Sequence, residues 1–229
     1  MRSPVRVAKT VARQALAWKG RAIVRPTSLL GRKLLIDVLD PKGPSDYVRL
    51  AALEQCAHEI ALRSISGAVA ELGVYRGEFA VRINQAFRER TLYLFDTFEG
   101  FDTTQEERER RERGLTHVRD FSDTTAEFVL SRMPHPERCI IRKGLFPETV
   151  DGLEEMFVFV SIDADLFEPI YEGLQYFYPR LQAGGYIFVN DYNNTHFPGA
   201  HQAVERFSQE RGILLVPLPD AQGSVIIPK

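Results

Sequence analysis

The chain has 229 residues, 44% hydrophobic and 26% charged, with a formal net charge of -2. That is enough chain for one α/β domain with a terminal segment, an ordinary globular composition, and a charge balance that does not point to nucleic acid. The two cysteines, Cys56 and Cys139, lack motif spacing, which argues against a disulfide framework or a zinc site and suits a reducing cytoplasm; no apolar run nears the roughly 20 residues that span a bilayer.

Residues 1–42 read as a basic, helical leader. Arg2, Arg6, Lys9, Arg13, Lys19, Arg21, Arg25, Arg32 and Lys33 precede the first acid, Asp37, while Val5, Ala8, Val11, Ala12, Ala15 and Leu16 recur near helical spacing. Such a segment suits a peripheral contact with an anionic membrane surface, a contact with another subunit in a homo-oligomer, or a solvated helix packed on the domain. Its Arg-rich, acid-free composition also has something of a transit peptide. Pro41–Ser45 separates it from a domain over 43–229. There Ser45 or Asp46 is placed to cap a helix running to about Arg63, which covers the site or packs at a sheet edge.

Ala68–Leu72 reads as the first buried strand, followed by Glu71-Leu72-Gly73-Val74-Tyr75-Arg76-Gly77 and a helix over Glu78–Phe87. Glycines at such a turn let the backbone fold tightly and a ligand come close. The full Gly-x-Gly-x-x-Gly of dinucleotide folds is missing, as is a P-loop lysine, so NAD and ATP lose ground. Thr91–Phe95 is the second strand. Asp96, at its carboxyl end, is positioned for ribose hydroxyls or to cap a turn over Thr97–Gly100. A glycine turn plus this acid, without a phosphate loop, fits a nucleoside lacking phosphates, and S-adenosylmethionine is such a nucleoside. Gln105–Arg113, QEERERRER, reads as a solvated helix or loop, or as a lid over the carboxyl edge. Ser122, Asp123 or Thr124 starts a helix to about Met133, and Ser122 is also placed among the cofactor contacts. After a third strand, Arg138–Arg142, Gly144 permits close approach to an adenine ring and Phe146 covers it, or else Phe146 is plain core. Glu148–Met156 reads as a short helix.

Phe157–Pro169, FVFVSIDADLFEP, organises the rest. A continuous apolar run is a strand buried on both faces of a parallel sheet. It ends in Asp163 and Asp165, which share a face at the carboxyl end, where open α/β sheets bind ligands. Two neighbouring carboxylates repel unless a positive partner sits beside them; the plainer alternative is one helix cap and one solvated acid. A helix follows over Pro169–Leu181, stopped by Ala183-Gly184-Gly185, and then a strand over Tyr186–Val189. That strand brings Asn190 and Asp191 beside Asp163, an oxygen-rich set suited to magnesium, manganese or calcium. His196 and His201, the latter on a helix over Gly199–Ser208, lie nearby as surface residues or substrate contacts. Ile213–Val216 and Ser224–Ile227 read as an antiparallel hairpin. A parallel sheet finished this way is the methyltransferase variation of the nucleotide-binding fold, with helices on both faces.

The segments AELGVYRGEFA, LYLFDTFEGFD, KGLFPET, SIDADLFEP and GGYIFVNDY occur in order over about Ala70–Phe207. Together they resemble the macrocin O-methyltransferase family, enzymes that methylate sugars in antibiotic pathways. The resemblance implies a class I methyltransferase fold, S-adenosylmethionine as donor and a bound divalent cation, usually magnesium. It implies that Glu71, Gly73 and Gly77 line the methionine end of the cofactor and that Asp96 holds the ribose. It further implies that Asp163, Asn190 and Asp191 ligate the metal, and that Asp165 is the general base for a hydroxyl of a sugar or glycosylated small molecule. At Asn190 the family usually has an acid, so this site carries one negative charge fewer. The competing reading is a cofactor-binding scaffold of a glycan or natural-product pathway without transferase activity, supported by Asn190 and the basic leader.

Overall fold

The computed structural model describes residues 47–116 and 120–229. The basic leader over 1–42, with its membrane and subunit contacts, and the caps Ser45 and Asp46 lie outside the described residues. The described elements begin with α1 (Tyr47–Leu62), β1 (Ala68–Leu72), α2 (Glu78–Ala86), β2 (Leu92–Asp96), α3 (Thr103–Arg113), α4 (Ala126–Arg132) and β3 (Cys139–Lys143). They continue with β4 (Phe157–Ile162), α5 (Phe167–Arg180), β5 (Leu181–Val189), α6 (Pro198–Arg211), β6 (Val216–Pro217) and β7 (Val225–Pro228).

The strands form one seven-stranded sheet in the order β3-β2-β1-β4-β5-β7-β6. β1 to β5 pair in parallel, β7 runs antiparallel to β5, and β6 antiparallel to β7. The strand order reverses at β1 and β4, the two strands that are buried along their whole length. Helices cover both faces. Ile170, Leu174 and Phe177 of α5 and Phe207 of α6 pack with Ala70, Phe95 and Val160 on one side. Leu53 and Ile60 of α1 and Ile83 of α2 pack with Val69, Phe159 and Phe188 on the other. The alternation of side chains along each strand feeds both cores at once.

Several boundaries differ from the sequence reading, each for a local reason. β5 begins at Leu181, so Gly184 and Gly185 do not stop a helix ahead of it but lie within the strand. They bulge it: Phe157 pairs with Leu181, and the next pair, after a register shift, is Phe159 with Tyr186. A Cβ on Gly185 would sit 2.8 Å from the Val158 carbonyl. The helix expected over Glu148–Met156 is a single 3-10 turn, Glu148–Val150, because Asp151 leaves helical backbone at ψ 128° and Gly152 then takes a left-handed φ of 69°. α4 is capped by Thr125, whose hydroxyl accepts from Phe128 N–H; Thr124 instead donates to the Tyr75 carbonyl at 2.8 Å. The charged run is a true helix, α3, capped by Asp102. The antiparallel C-terminal pair is present, with β6 at Val216–Pro217, shorter and further along the chain than the expected Ile213–Val216.

Cys56 is buried and Cys139 half-buried, both as free thiols. Burial pushes the Cys56 thiol up to about 12 and the Cys139 thiol up to about 11. Among the described residues no helix is long and apolar enough to cross a membrane.

The core under the carboxyl edge turns on Phe177, which is fully buried. Its ring stands edge-on to Phe95 at 5.7 Å and to Phe157 at 5.1 Å, and stacks on Phe146 at 5.7 Å. Phe177→Ala should destabilise the protein by about 3–5 kcal/mol through lost burial and the cavity left behind. Urea denaturation followed by circular dichroism measures this; a loss below about 1 kcal/mol would mean that the aromatic cluster relaxes around the gap.

Candidate active site

A cavity of about 660 Å³ opens at the carboxyl edge of the sheet, over the point where the strand order reverses. That volume is in the range of small-molecule sites. Glu71, Gly73, Asp96, Gly144, Phe146, Asp163, Asp165, Asn190 and Asp191 all line it. Two residues placed at the cofactor by the sequence do not. Gly77 precedes α2 with φ 73°, and a Cβ there would come within 3.0 Å of Val129 and Met133, so its bareness serves the packing of α4. Ser122 is exposed, and its N–H and hydroxyl both donate to Asp120 Oδ1.

The floor is built by the turn after β1. Asp163 N–H donates to the Leu72 carbonyl at 2.8 Å, drawing the ends of β1 and β4 together. Gly73 sits at this closest approach with φ 81°, and a Cβ there would lie 2.1 Å from the Asp163 carbonyl oxygen. Only glycine meets both demands. Asp96 fastens the same turn from β2. Its Oδ2 accepts from Val74 N–H at 2.6 Å and Tyr75 N–H at 2.8 Å, and its Oδ1 accepts from Phe98 N–H at 2.6 Å. The carboxylate therefore holds the loop as well as facing the cavity, and Oδ1, with one bond made, keeps a second lone pair for a ligand. Phe146 belongs to both readings made of it: it is 6% exposed within the aromatic core and still forms part of the wall.

The acids converge as their spacing predicts. Oxygens of Asp163, Asp165 and Asp191 all lie within 4.8 Å of one another. Asp165 and Asp191 occupy left-handed backbone at φ 60° and 57°, a conformation uncommon for L-residues, which Asp tolerates better than most. Burial first, and then the Asp163 and Asp191 charges, push the Asp165 carboxyl well up. Burial, and then Asp163, raise Asp191 to about 6. Glu71 follows the same pattern, raised chiefly by burial and then by Asp163. It is 2% exposed, and its Oε2 has no hydrogen-bond partner among the described residues.

Two groups offset this negative charge. Asn190, buried in the cluster, donates through Nδ2 to Asp163 Oδ1 and to Asp191 Oδ2, each at 2.8 Å. Its Oδ1 accepts from Ser224 Oγ at 2.9 Å. In this arrangement the amide, where the sequence suggested a metal-ligating oxygen, turns its nitrogen toward the acids. Arg49 was missed altogether. It reaches from α1 to donate to Asp163 Oδ2 at 3.2 Å and to Ser161 Oγ at 3.0 Å, with its guanidinium 3.9 Å from the Phe79 ring centroid. The available signal was an arginine, 7% exposed here, set in an otherwise apolar stretch of helix. Phe101, Gln105, His196, Phe197 and Gln222 complete the outer wall. His201 is not part of it: its ring stacks on Tyr192 at 4.6 Å and its Nδ1 lies 3.0 Å from the Tyr192 carbonyl.

Known proteins resemble this chain in sequence and in fold. The curated demethyldecarbamoylnovobiocin O-methyltransferase of Streptomyces niveus is 25% identical over 156 residues, covering 63% of this chain and 60% of that enzyme. Mycinamicin III 3''-O-methyltransferase of Micromonospora griseorubida is 27% identical over 184 residues, covering 72% and 69%. Among solved structures, the O-methyltransferase NovP superposes with a TM-score of 0.63 at 21% identity over 79% of each chain. The calicheamicin methyltransferase CalS11 gives 0.65 at 18% identity over 100% of this chain and 94% of that one. These superpositions identify the sheet as a class I methyltransferase fold. The family described as macrocin O-methyltransferase (TylF) matches residues 46–220, and the chain belongs to that family.

Proposed function

We propose that the protein transfers a methyl group from S-adenosylmethionine to a hydroxyl on the sugar of a glycosylated small molecule. The observation that carries this reading is the cluster of Asp163, Asp165 and Asp191 facing one cavity with Glu71 and Asp96. The name of one relative points the same way, since mycinamicin III 3''-O-methyltransferase acts at a 3'' oxygen. On this reading Glu71, with its unpartnered buried oxygen, accepts a hydrogen bond from the donor's amino group, and Asp96 faces the ribose. The methyl passes from sulfonium sulfur to acceptor oxygen, and Asp165 takes the hydroxyl proton.

The donor set fits a hard divalent cation. Three carboxylates within reach of one another hold excess negative charge, expressed in the raised Asp165 and Asp191 carboxyls. Asp163 and Asp191 would hold it. Asn190 would join them with its amide reversed, because the Ser224 hydroxyl both donates and accepts and satisfies either orientation. When bound, magnesium would acidify and orient the acceptor hydroxyl. Arg49 carries part of that counter-charge in its absence.

Isothermal titration with S-adenosylmethionine, with magnesium and with EDTA, tests the reading. Asp163→Ala should abolish the magnesium signal. Asp165→Asn should bind magnesium and donor normally yet turn over a glycosylated acceptor about 10²–10⁴-fold more slowly. Full activity in Asp165→Asn would remove it as the base, and absence of donor binding in the wild type would sink the transferase reading.

The Arg49–Asp163 pair is largely buried, with side-chain exposures of 8% and 26%. Arg49→Ala strands the Asp163 charge and should cost about 3 kcal/mol of stability in EDTA. Saturating magnesium should recover much of it. Melting curves with and without the metal measure the difference, and an equal loss in both conditions would exclude a shared counter-charge role.

A further inference from the structure

α3 presents a physical problem. Its sequence, TTQEERERRER, contains no apolar side chain, so the hydrophobic effect cannot seat it on the domain. Yet Glu109, in its middle, is only 2% exposed. The burial is explained by what its carboxylate meets. Oε2 accepts from Phe167 N–H at 3.2 Å, in the first turn of α5. Oε1 lies against Gly199, at the start of α6, so closely that a Cβ on that glycine would be 1.7 Å away. Neither helix has a capping side chain of its own: Leu166 and Phe197 occupy the cap positions without a side-chain hydrogen bond. The first turns of two helices thus converge on one carboxylate supplied by a third. Burial pushes that carboxyl up, and the Phe167 N–H, Arg113 and the Gly199 N–H oppose the push. Arg113 closes the arrangement, 4.0 Å above the Phe167 ring and 3.6 Å from Glu109 Oε2.

The two helices joined in this way are not arbitrary. α5 starts two residues after Asp165, and α6 starts just beyond Asn194, His196 and Phe197, which line the cavity. The segment leading into α3 supplies Phe101 and Asp102 to the same cavity, and α3 itself supplies Gln105. We propose that Glu109 is a positioning residue: an internal anion that latches α3 across the first turns of α5 and α6, so that closing the outer wall and setting the acid cluster are one event. The proposal rests on the functional reading above for what the cluster does, but not for the latch itself.

The test uses the full chain with trypsin, S-adenosylmethionine and magnesium chloride as probes. Glu109→Gln keeps the volume but removes the charge. Gly199→Ala attacks the latch from the opposite side, and Glu112→Ala, an exposed neighbour, is the control. Cleavage after Arg108, Arg110 and Arg111 tracks the population of undocked α3, and should rise roughly tenfold or more in the first two variants and stay unchanged in the control. Magnesium affinity should fall about 10-fold, as for groups that orient metal ligands, while donor affinity, set on the β1 and β2 side, stays within about twofold. Continued protection of α3 in both latch variants would overturn the proposal. So would release of α3 with magnesium binding intact, or loss of donor and magnesium binding together, which marks general unfolding. If wild type binds neither probe while α3 is released in the variants as expected, the functional reading fails and the latch stands.

Discussion

Placing several carboxylates in one poorly solvated cavity is the constraint on which the rest of this structure depends. Glu71, Asp163, Asp165 and Asp191 come from the ends of three adjacent strands, and water that would normally screen them is largely displaced by the sheet and its helices. The fold answers with groups whose positions are otherwise hard to explain. A guanidinium is buried in α1, an amide donates to two acids at once, and a serine is held ready to pair with that amide. Like charges in a low-dielectric setting retain protons unless positive charge offsets them, and the Arg49 guanidinium and the Asn190 amide supply part of that offset.

What brings the acids together is backbone, not side-chain attraction. The Leu72 carbonyl and Asp163 N–H join the ends of β1 and β4, Gly73 yields the space for that approach, and the Asp96 carboxylate ties the following turn to β2 by accepting from the Val74 and Tyr75 N–H groups. Behind this edge lies the aromatic cluster around Phe177, and the left-handed residues at 165 and 191 sit at the edge itself.

The parallel strands and their terminal acids were legible in the sequence because a fully buried strand writes an unbroken apolar run and polar residues then stand out at its end. β4 with Asp163 and Asp165 is the clearest case. Residues that act across long sequence separations were not legible. Nothing local marks Arg49 as the partner of Asp163, 114 residues away, or singles out Glu109 within a run of charges as the one that is buried. Glycine was legible as a break but not as a kind of break: Gly77 looked like a ligand contact and serves helix packing, while Gly184 and Gly185 looked like a stop and form a bulge. The Thr125 cap was one residue from its expected place because four consecutive residues, Ser122 to Thr125, have similar capping chemistry.

The free cysteines gain significance beside such a site. A sulfonium methyl donor is an electrophile, and a thiolate is a far better nucleophile than any sugar hydroxyl. Cys56 lies in the same helix as Arg49, about two turns further along it, and neither it nor Cys139 lines the cavity. With their thiols raised to about 12 and about 11, the ionised fraction at neutral pH is roughly one part in 10⁴ or less. Under the proposed function, thiols held protonated in this way would compete poorly with the acceptor for the donor's methyl group.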